Sequence, residues 1–171
     1  MKVEEIHEFL NKLWNDVFTL NNQLKAELAE KGFEVDDVEE VFGAYIFIDG
    51  KWEQMLYPHP AFQVRPQIEV GATPESYYFV VAIPRDRISE DFLSLFLELF
   101  PRSFIYGSED FLSDVYNWRG DKASPGEILE RIKGSDEKVL QFEANFESVE
   151  ELKKGLLKLI EIGKRFEVFD L

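Results

Sequence analysis

From Val3 to Lys31 the apolar residues recur at spacings of three and four. Val3, Ile6, Leu10, Leu13, Val17, Leu20 and Leu24 form a heptad seam, and Phe9, Trp14 and Phe18 widen it. The pattern predicts one long amphipathic helix, closed by Gly32. Its wide stripe suits packing across the chain's own sheet, and its seam also suits contact with a second copy. From Val38 the period becomes two. Phe42, Ala44, Ile46 and Ile48 share one face of a strand, Asp49-Gly50 is a hairpin signal, and Trp52 to Tyr57 returns as the partner strand. Pro58-His59-Pro60 interrupts the alternation. Phe62, Val64, Pro66, Ile68 and Val70 then alternate with polar residues, and Pro66 inside that run predicts an edge strand or a bulge.

Tyr77 to Pro84, YYFVVAIP, carries no charge. Its aromatic and β-branched residues predict a strand covered on both faces, ended by Pro84, which has no N–H for a ladder. Short links between the four strands predict an antiparallel meander. Arg85 to Arg87 turn the chain, and Ser89 is the expected N-cap of a helix apolar nearly all round, stopped by Pro101. Ser103 to Tyr106 suits a short strand. Ser108 opens SEDFLS, the six residues of Ser89 to Ser94, one helix-start chemistry used twice. Trp118 to Asp121 is a polar turn. Ser124-Pro125-Gly126-Glu127 opens a helix to about Lys133, Leu140 to Phe146 alternates as a strand with one wet face, and Ser148 to Glu151 opens a last helix. The apolar tail, Phe166 to Leu171, predicts a final strand or a docking segment. The sum is a single α+β domain over residues 1–171. An antiparallel sheet of five to six strands, four of them the meander, has the long N-terminal helix and the other helices packed mainly on one face.

With 45% hydrophobic residues the chain has material for a full core, so disorder is excluded. No window has the uncharged length of a membrane helix, and the N-terminus lacks the form of a signal peptide, so the expected location is the cytoplasm. The absence of cysteine removes disulfides and thiolate chemistry. The net charge of −15, with eleven acids against four bases in the first forty residues, excludes the basic footprint of a nucleic-acid binder and disfavours an anionic membrane. It suits solubility or a basic partner.

Candidate chemistry is sparse. The two histidines, His7 and His59, make a poor metal inventory, and no phosphate loop, dinucleotide fingerprint or nucleophile elbow is present. No metal and no cofactor are expected. The one polar group of interest is Tyr57, His59, Arg65, Arg85 and Arg87. In the meander, the link before the third strand and the link after the fourth leave one end of the sheet, where a His and several Arg suit an anion. The alternative is that these are solvated loop charges and His59 a turn residue.

The order of helix, antiparallel strands, helix, strand, short helices, strand and long helix, in a small acidic chain, resembles the type III secretion chaperone-like fold. That resemblance implies small acidic dimers that bind partners without catalysis. Ser108 to Lys133 depart from the pattern, so no site residue carries over. The chain also resembles the uncharacterised conserved proteins of hyperthermophilic archaea. The leading expectation is a non-catalytic, chaperone-like protein-binding module, not an enzyme, that forms a homodimer. The alternatives are a small-molecule enzyme or anion-binding protein with a site near His59, Arg65 and Arg85, and an acidic mimic of nucleic acid.

Overall fold

The structure, a computed structural model, describes residues 2–48, 51–107 and 123–170, with the side chains of residues 44–57 outside that description. The turn at Asp49-Gly50, the second SEDFLS segment and the Trp118–Asp121 turn lie outside the described residues.

The first helix, α1 (Val3–Ala29), is followed by β1 (Glu34–Val35), β2 (Glu39–Ile48), β3 (Lys51–Arg65), β4 (Ile68–Ala72) and β5 (Tyr77–Pro84). Then come α2 (Glu90–Leu99), β6 (Ser103–Tyr106), α3 (Pro125–Gly134), β7 (Val139–Phe146) and α4 (Val149–Arg165). The seven strands form one antiparallel sheet in the order β1-β3-β4-β5-β7-β6, with β2 beside β3. Ala61 pairs with Glu39 on one edge and Gly71 on the other, so β1 and β2 share the outer edge of β3. The fold class is the α+β arrangement expected, with helices on one face, but the sheet has seven strands rather than the five to six expected, because Glu34–Val35 adds β1 at the edge of β3.

The capping chemistry behaves as its residues dictate. Ser89, Ser124 and Ser148 accept hydrogen bonds from the backbone N–H three residues on, at Phe92, Glu127 and Glu151. Two expectations in the meander are corrected. Pro58-His59-Pro60 does not interrupt a strand. It lies inside the fifteen-residue β3, where Val41 pairs with His59 and Phe42 with Pro58. Pro66 lies on no edge strand or bulge. It sits after a cis Arg65–Pro66 peptide in the turn that separates β3 from β4, so the run expected as one strand is two. Alternating apolar positions on both sides of a tight turn mimic a continuous strand.

Strand β5 runs through the middle, between β4 and β7. Phe79, Val81 and Ile83 point into the core and are fully buried, whereas Val80 and Ala82 on the other face are half-buried. Cover on both faces is therefore only partial. The core is an aromatic cluster. Phe92 and Phe96 from α2 and Phe100 just past its C-terminus meet Phe79, Phe142 and Phe146 from the sheet, with centroids 4.9–6.2 Å apart in tilted or edge-on pairs. Leu95, Leu97 and Leu99 are half-buried, so α2 is covered on one side rather than all round.

The C-terminal tail docks. Val168 is fully buried, the Phe169 ring stands edge-on to Phe33 at 5.5 Å, and Arg87 bonds the Phe169 carbonyl and the Asp170 carboxylate. Gly163 on α4 makes room for this. A Cβ there would come within 2.0 Å of the Phe169 ring. Gly163→Ala is expected to displace the tail and lower stability by about 1–3 kcal/mol, read as a lower melting temperature. A parent-like melt would show that the tail contributes no packing.

Candidate functional site

Of the five residues singled out in the sequence, the four whose side chains are described do not form one group. Tyr57's side chain lies outside the described residues. His59 lies where β3 runs past the end of β4, and Arg65 closes β3 at the opposite end of the sheet. Arg65 pairs with Asp36, which holds its pKa above the usual value. Arg85 donates to the carbonyl of Ser135, and Arg87 anchors the tail. These three arginines do structural work at one end of the sheet, and His59 belongs to a different group.

That group follows from strand parity. The side of the sheet away from the core carries the odd residues of β3, β4 and β7 and the even residues of β5 and β6. His59 is 3% exposed, and its Nε2 lies 2.9 Å from the Tyr78 hydroxyl. That hydroxyl donates to Glu69 Oε1 at 2.9 Å, and Gln63 donates to Oε2 at 3.1 Å. A phenol has one hydrogen, already given to Glu69, so Nε2 of His59 carries a hydrogen and donates. Tyr78 can reach across because Gly71 has no side chain. A Cβ there would meet the Tyr78 hydroxyl at 2.6 Å.

A second carboxylate is clamped in a similar way. Glu143 accepts from the Tyr106 hydroxyl at 3.1 Å and from the Asn145 amide at 3.3 Å, and Asn145 accepts from Ser76. Glu69 and Glu143 stand in one row of the sheet, with Val80 between them. Burial pushes the Glu143 carboxyl up to about 7. The two donated bonds oppose that rise, and the Glu69 charge adds to it. Among the described residues neither carboxylate has a Lys or Arg partner, and no group of three His, Cys, Asp or Glu could hold a metal. Gln63, Glu69, Glu143 and Asn145 are visible in the sequence as the polar alternates of strands. Only pairing brings them together.

The other distinctive surface is apolar. Asp16 on α1 accepts the Tyr77 hydroxyl at 2.9 Å, which sets mid-helix over the start of β5. Residues 17–28 bury Val17, Leu20, Leu24 and Leu28 on the sheet, while residues 2–8 are all exposed. The seam continues regardless. Val3 is 82% exposed, and Ile6, Trp14 and Phe18 are exposed too. At about 100° per residue, Trp14, Phe18 and Lys25 lie on the flank opposite Asp16. Lys25 pairs with Asp37, two residues before β2, so that flank faces the β2 edge. On β2, Phe42 is 70% exposed, and its partner Pro58 is on the Phe62 side of β3. Trp14, Phe18 and Phe42 thus border the same side of the molecule.

A family model described as a protein of unknown function, DUF3201, matches residues 8–158. A solved structure of a conserved hypothetical protein from Pyrococcus furiosus is 46% identical and superposes with a TM-score of 0.85, covering 98% of this chain and 100% of its own. No curated protein matches.

The clamped carboxylates generate two expectations. Tyr78→Phe removes the hydroxyl that joins His59 to Glu69 and is expected to cost about 1–3 kcal/mol, measured by denaturant unfolding. No loss would show that the bonds are solvated. Glu143 binds its proton more tightly folded than unfolded, so its contribution is greatest below about pH 4.5 and is lost as pH rises to about 7. Glu143→Gln is expected to gain on the parent across that window, by roughly 3 kcal/mol at most. A pH-independent difference would place the carboxyl in solvent.

Proposed function

We propose, starting from a chain that belongs to the DUF3201 family, that it is a non-catalytic, chaperone-like protein-binding module whose contact surface is the exposed flank of α1 with Phe42. One observation carries the reading: the apolar seam of α1 continues at Val3 and Ile6 beyond the residues it buries against its own sheet. Isolated helical turns are marginal in water, because most helical stability comes from packing an amphipathic face. A partner laid on the flank supplies that packing. Trp14, Phe18 and Phe42 are the aromatic residues that favour interface anchors.

A second reading is favoured by Glu143 and its neighbours. A carboxyl that titrates near neutrality, in one row with Glu69 and close to a Tyr–His chain, suits a small ligand or proton transfer on the sheet face. Its mark is a melting shift with a small molecule that Glu143→Gln abolishes.

The binding reading is tested with tagged parent and a Trp14→Ser/Phe18→Ser variant in extract of the native host. The parent is expected to retain a defined set of proteins. The variant is expected to lose at least about 90% of that set, in line with truncation of interface anchors, while melting within a few degrees of the parent. Identical sets from both would overturn the reading.

A further inference from the structure

The same flank carries information about what lies on it. Around α1, Glu4 and Glu8 follow Phe18 on the side away from the sheet, and along β2, Glu40 stands on the same face as Phe42, two residues before it. All three are exposed, and among the described residues none is ion-paired. The flank's lysine, Lys25, is already engaged by Asp37. An apolar strip of Val3, Ile6, Trp14, Phe18 and Phe42 is therefore bordered by exposed acids on both the helix and the strand.

We infer that this strip docks a basic amphipathic helix of another protein, its apolar side against Trp14, Phe18 and Phe42 and its Lys or Arg residues against Glu4, Glu8 and Glu40. The inference rests on the binding-module reading and adds the chemistry of the partner. Helix-in-groove recognition needs an apolar surface presented at helical spacing, which α1 supplies. Charge then selects among occupants. A second copy brings the same acids and another net charge of −15, so like charges meet at the rim. A basic helix meets complementary charge, is steered toward the surface at low salt, and completes the packing of the first turns of α1.

The test is calorimetric titration with three synthetic peptides of about 18 residues, long enough for helix under mild conditions. One is Leu and Lys patterned at the helical period, one is its Leu and Glu counterpart, and one is a scramble of the first. The patterned basic peptide is expected to bind at least about tenfold tighter than either control and to weaken as salt rises. Ile6→Ser/Phe18→Ser is expected to lose at least about tenfold in affinity, with an unchanged melt. Equal binding by the scramble, or unchanged affinity in the variant, would mean charge adsorption alone and would overturn the inference. So would sedimentation showing a dimer of the parent that this variant dissolves, which would assign the strip to a second copy. If the peptide fails while the host-extract capture still depends on Trp14 and Phe18, the module stands and the basic partner falls.

Discussion

The alternation of β5 between β4 and β7 is the constraint on which the rest of the molecule depends. Successive side chains on a strand point to opposite faces, so Phe79, Val81 and Ile83 enter the core together while Tyr78, Val80 and Ala82 face away from it. Phe79 holds Phe100 and Phe146, and through them α2 is set against the sheet. The opposite parity spaces Glu69 and Glu143 across Val80 and sets Tyr78 over Gly71. A shift of register by one residue would exchange the two sets and destroy both faces at once.

The tail and the loop arginines serve that core. Val168 and Phe169 close the end of the helical layer, and Arg87 and Gln67 hold Asp170 in place. A cluster of arginines at a sheet end reads as an anion site when only charge and chain order are known. Here each guanidinium has a protein acceptor: Asp36 for Arg65, the Ser135 carbonyl for Arg85 and the tail for Arg87. A bound anion would compete with these contacts.

The long helix divides differently. Its C-terminal part is packed by the sheet and by α4, and its residues 3–8 are exposed. One seam therefore lies in two environments, because the sheet ends before the seam does. Asp16 marks the change, where Tyr77 ties the helix to the start of β5 and burial raises the phenol's pKa to about 12. Before that point residues 3–8 are exposed, and after it Leu20, Leu24 and Leu28 are fully buried, so packing strengthens toward the C-terminal part of the helix.

The sequence by itself determined most element types, the helix starts and the wet and dry sides of β4 and β7. Those follow from local chemistry: a serine oxygen three residues before an orphan N–H, and apolar periods of two or near 3.6. It also carried the seam with Trp14 and Phe18 beside it. Only the tertiary structure decided where β3 turns, because the polar and apolar alternation is the same on both sides of Pro66. Only pairing decided that His59 meets Tyr78 nineteen residues away and that Glu143 stands two strands from Glu69. Contacts between strands depend on register, a relation between distant segments that no local pattern records. For the same reason the seam could not show from within where the sheet beneath it stops.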